Sequence, residues 1–438
     1  MQLKYARSNF SIVAITTAII IILLLTVSRQ QYVIAKEDLM QNIEAQNLGF
    51  SHFRTLVDTG DGQRGYSIVS KIKGIIHKIP EIIRYKLSNG TEFERIDIEI
   101  DFLEYSKILK DRERAIKDKI LTNPTKVKSV LKFQGKKYKA RVRLKGDLHH
   151  HWDSKLRLSL RVELKNGKNI FGFSNFSIHK PRERKHPYDY TFQSMVRDAG
   201  NLAAVHKFAH VFVNGEDWGI MDLEEHMSKE FVEKQNKKST ILFRFANEDK
   251  WLYTFKSKKP YLGYKLSDPK LYSRMYDKKT LKDDQNRKIY SYILNKTLAD
   301  DINLYDVEAF SNALIVTLAW NNTHTLADTN SRYYFNPYTL KVEPVTADQG
   351  RWWTNDGSSH LELNDKYLQI MSSEIFKKTL PKNIRKISKI VLEIDDYLSF
   401  NDSLFPVDIK KNTSFVKNQM SKIVDNQKEY VIYPLSKD

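Results

Sequence analysis

The chain has 438 residues, no cysteine and a formal net charge of +19. The lack of cysteine excludes disulfides, zinc–thiolate sites and thiol nucleophiles together. With 41% hydrophobic and 12% aromatic residues it reads as a packed chain, long enough for two or three lobes with their own cores. Its lysines are spread through every segment, and no dense cationic stripe is interleaved with stacking aromatics. That argues against nucleic acid as a partner and for a basic surface facing anionic lipid, glycan or nucleotide phosphate.

Phe10 to Val27 is uncharged, and Ile19 to Leu25 within it is apolar on every face. At about 1.5 Å per residue the full run spans roughly 27 Å, the thickness of a bilayer's hydrocarbon. The sequence therefore predicts a single-pass membrane helix over 10–27, with residues 1–9 cytoplasmic and the globular body extracytoplasmic. A cleaved signal peptide ending near Val33-Ile34-Ala35 is the alternative, but the run exceeds the usual h-region. Residues 28–92 read as a stalk. Within them Gly60-Asp-Gly62-Gln-Arg-Gly65 matches GxGxxG as a string but follows no apolar strand, so a loop is expected.

Glu94 to Leu103 alternates acid and apolar residues and predicts a strand, followed by a helix over Lys107–Leu121. Val127–Phe133 and Tyr138–Leu144 flank a hairpin turn at Gln134-Gly135-Lys136-Lys137, and Leu156–Leu164 alternates again. His206–Val213 and Trp218–Glu224 pair around Asn214-Gly215, the strongest short hairpin signal in the chain. A helix over Met227–Gln235 follows. Beyond Leu281 the chain turns helical, over Gln285–Leu298, Val307–Asn321 and Pro381–Leu398, with two short strands at Arg332–Phe335 and Leu340–Val345. The expected fold class is α+β in two lobes behind the membrane helix: a β-rich lobe over 93–230, a helical lobe over 231–365 and a helical extension over 366–438.

Three polar sets stand out. Arg141, Arg143 and Lys145 alternate with apolar residues, then come Gly146-Asp147, three histidines at 149–151, and Lys155, Arg157 and Arg161. Alternation aims cations at one face, where they can meet phosphates. The adjacent histidines would point to opposite faces of a strand and so do not share one metal. Glu224 and Glu225 end a strand beside a helix start, which suits a ligand edge or simple helix capping. Finally His324, Asp328 and Asn330 lie on one polar loop, and a hairpin leads from it to Asp348. That order of loop, hairpin and acid is how protein kinases place a base, an Asn and a metal-binding Asp. Mg²⁺ wants hard oxygen ligands of the kind Asn330 and Asp348 offer.

These residues resemble a known family. Arg143-Leu-Lys-Gly-Asp147, His151-Trp152, Ser159-Leu-Arg161, Gly172, Phe176-Ser177, Asn214-Gly215, Gly219, Leu223-Glu-Glu225, Asn330, Arg332-Tyr-Tyr-Phe-Asn-Pro337, Glu343-Pro344 and Asp348 are similar to the CotH-type, spore-coat-protein-H-like atypical kinases, in a membrane-anchored bacterial branch. The resemblance runs from about Ile96 to Asp348. It implies an atypical protein-kinase fold, ATP with Mg²⁺ or Mn²⁺, and phosphoryl transfer to a protein hydroxyl or a surface glycan. It would make Asp348 the metal-binding acid and Asn330 the second metal ligand. Lys155 would hold the nucleotide phosphates, with Arg143, Arg157 or Arg161 in reserve, and Asp189 would be the acidic partner of that lysine. Glu224 and Glu225 would lie where the lobes join. One position departs from the family: an Asp is expected five residues before Asn330, and Thr325 stands there. His324 and Asp328 are the nearest substitutes for a base. A non-catalytic scaffold in cell-envelope or polysaccharide assembly is the alternative function.

Overall fold

A computed structural model describes residues 93–153, 155, 157–184, 188–244, 280–327, 330–349, 363, 365–398 and 409–426. The elements in chain order begin with β1 (Arg95–Glu99), α1 (Phe102–Asp118), β2 (Val127–Phe133), β3 (Lys136–Leu144), β4 (Leu160–Leu164) and β5 (Asn175–His179). Then come α2 (Tyr188–Asp198), β6 (Leu202–Ala203), β7 (His206–Val213), β8 (Glu216–Glu225), α3 (Lys229–Lys234) and β9 (Leu242–Phe243). The last part holds α4 (Asp284–Leu298), α5 (Val307–Ala319), β10 (Arg332–Asn336), β11 (Lys341–Thr346), α6 (Asp365–Ser372), α7 (Glu374–Leu392), α8 (Ile394–Leu398) and α9 (Ile409–Asp425).

Seven strands close into a barrel in the order β1-β2-β3-β4-β5-β8-β7. Every neighbouring pair is antiparallel except β1 with β7, the parallel seam that closes it. The period-two pattern explains the interior. Val142, Leu144, Leu160, Val162, Phe176, Ile178 and Leu223 are all fully buried inside, each followed by a residue that faces outward. The turns that fix this register have both central residues at positive φ: Gln134-Gly135 at 48° and 71°, and Asn214-Gly215 at 49° and 81°. Such turns twist with the strands they join. The first turn therefore takes two residues, and β3 begins at Lys136 rather than Tyr138.

A second core lies beside the barrel. It joins the sheet β6-β11-β10-β9 to α2, α5, α7 and α9 through Phe192, Phe310, Tyr333, Ile384 and Met420, among others. Helix α5 is buried on nearly every face, from Phe310 through Ala319, and is the central helix of this body.

The expected two-lobed kinase-like architecture is overturned. The described chain has mixed α/β content, with a closed seven-stranded barrel rather than an open β-rich lobe. Nor do the two bodies follow chain order. Helix α2 and strand β6, from the β-rich half, belong to the second core, with β6 parallel to β11. No helix among the described residues is long and apolar enough to cross a membrane. The run at 10–27 and the glycine string at 60–65 lie outside the described residues.

Helix boundaries moved where caps outweigh periodicity. Asp101 accepts from Leu103 N–H at 2.9 Å and starts α1 earlier than expected, which cuts β1 short at Glu99. Ser373 caps α7, so that helix runs through Pro381 instead of beginning there.

Candidate active site

Cross-strand register builds the site on the outward face of the barrel wall that meets the second body. Arg143 stands opposite Arg161, Arg161 opposite Ser177, Ser177 opposite Glu224 and Glu224 opposite His206. Partners in register share a face, so these five side chains form one polar row across five strands. A second row runs beside it. Lys145 N–H donates to the Ser159 carbonyl, Ser159 lies next to His179, and His179 stands opposite Asp222. Ser159, Ser177, His179 and Asp222 are fully buried.

Within the rows Lys145 is the central cation. Its ammonium lies 2.8 Å from His179 Nε2 and 3.4 Å from Glu224. An ammonium only donates, so His179 accepts at Nε2 and carries its proton on Nδ1, which reaches Ser159 Oγ at 3.2 Å. Ser159 in turn reaches His151 Nδ1 at 3.0 Å. Burial first, then the neighbouring cations, hold His179 and His151 well below the ordinary imidazole range, so both stay neutral. The chain from Lys145 through His179 and Ser159 to His151 therefore fixes where the ammonium points.

Gly146 lets the chain turn tightly at the end of β3. Its φ is +95°, and a Cβ there would sit 2.0 Å from Cγ of the His151 ring. Gly146→Ala is expected to cost more than about 2 kcal/mol, because backbone and imidazole must both move. A urea melt of that variant checks this, and an unchanged midpoint would refute the close packing.

Arg184 ties the barrel wall to the second body. Its Nε donates to Glu224 at 2.7 Å and its Nη1 to Asp348 at 2.6 Å, with Asp189 at 4.0 Å. Burial opposes the charges of Glu224 and Asp348, but Arg184 outweighs it in both and their pKa values are lowered, that of Glu224 well below the ordinary range. Burial would lower Arg184 as well; Asp348 and Glu224 raise it instead. Asp189, pushed up by burial, accepts from the Gln349 N–H at 3.0 Å and lies 3.9 Å from His206, which is itself bonded to Asp222 at 2.9 Å. It thereby anchors the backbone next to Asp348, whose φ of 59° is a left-handed conformation that Asp tolerates.

The polar loop before β10 supplies the remaining groups. Asn330 Nδ2 donates to His324 Nε2 at 2.9 Å, and His324 lies close enough to Asp348 to lower its pKa further. Thr325 is fully buried; its hydroxyl donates to the Ala347 carbonyl at 2.7 Å and accepts from the Ala347 N–H at 3.0 Å. It is a structural clasp between the loop and the end of β11. Asp328 lies outside the described residues.

The structure thus brings Arg143, Arg161, Glu224, Asp189, His324, Asn330 and Asp348 toward one place. Lys155 is exposed on a bend before β4. Arg157 is buried, with one guanidinium nitrogen 3.4 Å from the Met221 sulfur. Glu225 falls in the inward row, opposite Phe176, and pairs with Lys234 at 2.5 Å. Burial raises its pKa to about 7 despite that pair. Lys145, His179 and Arg184 complete the cluster. The alternation through 141–145 is the signal that points to Lys145, whereas Arg184 and His179 carry no sequence signal beyond their residue type.

A family model described as CotH kinase protein matches residues 142–400, more than half of the chain. The chain belongs to the CotH kinase family. No curated protein matches it. The CotH kinase family is one of kinase-like phosphotransferases, which in general use ATP and a divalent metal. The donor set here fits such a metal in one particular way. Among the described residues no group of three or more His, Asp or Glu side chains is arranged to hold an ion by itself. Ionised Asp348 and the Asn330 amide oxygen are two hard oxygens, the number Mg²⁺ takes from a protein when phosphates supply the rest. Anion-binding capacity is also present. Arg161 Nε and Ser177 Oγ, neighbours in the polar row, are buried without a hydrogen-bond partner among the described residues.

Proposed function

We propose that this CotH-family chain transfers the terminal phosphoryl group of ATP to a hydroxyl, with a protein side chain as acceptor. Lys145, Arg161 and Arg143 take the nucleotide phosphates, and Asp348 with Asn330 holds the divalent metal. The bond from the γ-phosphorus to the ADP oxygen breaks and a bond to the acceptor oxygen forms. The hydroxyl proton passes to the 323–330 loop, where His324 and Asp328 are the titratable side chains. A divalent metal held by Asp348 and Asn330 would supply neutralisation of the charge on the transferring group.

The observation that carries this reading is the linkage Lys145–Glu224–Arg184–Asp348, which sets a phosphate-type cation and a metal-type acid on the two ends of one ion-pair chain. Fixed charges at the ends of a buried network are preorganised, and positioning with charge neutralisation supplies most of phosphoryl-transfer catalysis. Lys155 is too exposed for that task, so Lys145 takes the role and Glu224, rather than Asp189, is its acid. Asp189 and His179 are positioning residues in this reading. Thr325, clasped to β11, takes no part in proton transfer.

A second reading, nucleotide binding without turnover in a scaffold protein, draws on the same Arg184–Asp348 pair, because a guanidinium at 2.6 Å competes with a metal for the carboxylate. Calorimetric titration of ATP into the full chain, with and without Mg²⁺, followed by an ADP-release assay, separates the two. Binding with release supports transfer; binding without release supports the scaffold. No binding under any metal removes both.

Lys145 gives the binding a pH signature. Burial, partly offset by Glu224, lowers its pKa to about 7. Phosphate attracts only the ammonium, so Lys145 is competent below that value and loses its charge above it. ATP affinity measured without metal is therefore expected to fall as pH rises past about 7, approaching tenfold per unit. Lys145→Arg, always charged, is expected to flatten that slope. An equal slope in both proteins would refute the assignment.

A further inference from the structure

Beyond the ATP site, every outward position along β3 is cationic. Lys137, Lys139, Arg141 and Arg143 alternate with Tyr138, Ala140 and Val142, and Lys145 continues the line just past the strand. At about 3.4 Å per residue this track is about 27 Å long with a cation every 7 Å or so, and its last member is the lysine of the polar rows. Lys137, Lys139 and Arg141 are exposed and have no ion partner among the described residues.

The neighbouring strands add three cations to this face, and place two acids in register with it, Glu163 opposite Arg141 and Asp97 opposite Lys132. Lys128 stands opposite Arg141, Lys132 opposite Lys137, and Arg161 opposite Arg143. Like charges in register destabilise a sheet, and here three such pairs fall on one face. The nearby acids are already engaged. Glu163 pairs with Lys126 and Lys165, Glu99 with Lys132, and Glu104 with Lys107. A face that keeps repulsion across three registers is complementary to an anionic chain lying along it.

We propose that the outward face of β3 is the acceptor-docking track, and that its occupant is an extended acidic polypeptide segment that leads the acceptor hydroxyl toward Lys145 and Asp348. An extended peptide presents side chains on one face at the same spacing as the cations of β3, so alternate acidic residues meet them in register. No aromatic stands among the cations on that face to stack a nucleic-acid base. The inference rests on the phosphotransferase reading for what happens at the end of the track, but docking itself is measured without turnover.

The test uses the full chain and a fluorescein-labelled alternating glutamate–serine peptide, read by anisotropy at low salt. The triple variant Lys137→Gln, Lys139→Gln, Arg141→Gln is expected to bind the peptide at least ~tenfold more weakly while leaving ATP affinity unchanged. The control triple Lys229→Gln, Lys377→Gln, Lys382→Gln removes the same net charge away from β3 and is expected to stay within about twofold of the parent. Equal weakening in both triples would show that only net charge matters and would overturn the track, as would no weakening in either. Stronger competition by polyglycerol phosphate or by an oligonucleotide of equal charge would also overturn the peptide assignment. Asp348→Ala is expected to keep peptide binding, so failure of the ATP site and failure of the track are read separately.

Discussion

Asp348→Ala is expected to abolish the metal-dependent part of ATP binding and to slow phosphoryl transfer by about a thousandfold or more. The carboxylate is ionised, because Arg184 and then His324 outweigh the burial that would raise its pKa. Removing it leaves Asn330 with one neutral oxygen. Glu224 is committed to Arg184 and Lys145, so it does not substitute. Binding of ATP without metal is expected to persist, and even to strengthen, since Arg184 loses an anionic partner and becomes available to phosphate. Titrations of parent and variant with ATP alone and with ATP plus Mg²⁺ give all four affinities. If Mg²⁺ enhances binding equally in both proteins, the metal is not at Asp348 and the site assignment fails.

The approach of the 323–330 loop to Asp348 was legible in the sequence because loop, hairpin and acid follow one another within a short stretch of chain, and local order survives folding; the metal-binding role of Asp348 and Asn330 is a proposal. The barrel's hairpins were legible for the same reason: Gln134-Gly135 and Asn214-Gly215 supply the positive φ values that such turns demand. What sequence reasoning missed is non-local. Closure depends on Ile96 and Ile98 of β1 pairing in parallel with Val211 and Val213, more than a hundred residues on, and no period reveals that seam. Helix α2 is amphipathic in the ordinary way, and nothing in its pattern says that Phe192 and Met195 pack beneath α5 rather than against the barrel. The expectation that Lys155 lies on the strand after the Gly146 turn failed because of where β4 begins. The loop holding Trp152 and Asp153 delays it to Leu160, which leaves Lys155 exposed ahead of the strand. Glu224 and Glu225 were indistinguishable as letters, yet strand alternation sends one into the polar row and the other to the inward face.

Arg184→Met is expected to destabilise the protein by about 3–5 kcal/mol at neutral pH, a larger loss than any surface ion pair would give. Arg184 is almost fully buried and joins elements that no backbone ladder connects: Glu224 of the barrel wall, Asp348 after β11 and, more distantly, Asp189 of α2. Methionine fills much of the volume but leaves Glu224 and Asp348 ionised with less compensation. The pH dependence follows from their depressed pKa values. In the parent, each contributes stability that is present above its unfolded pKa and is lost as pH falls through its lower folded value. In the variant both folded pKa values rise, so this contribution disappears at a higher pH. The stability gap is therefore widest near neutrality and narrows toward about pH 4, where protonation relieves the uncompensated charge in the variant. Arg184→Lys preserves the charge but not the fork that reaches two carboxylates at once, so an intermediate loss is expected. Urea melts of the three proteins across pH check this. A gap that stays constant with pH would mean that Arg184 acts through packing alone, and that the ion-pair chain joining Lys145 to Asp348 is not what holds the site.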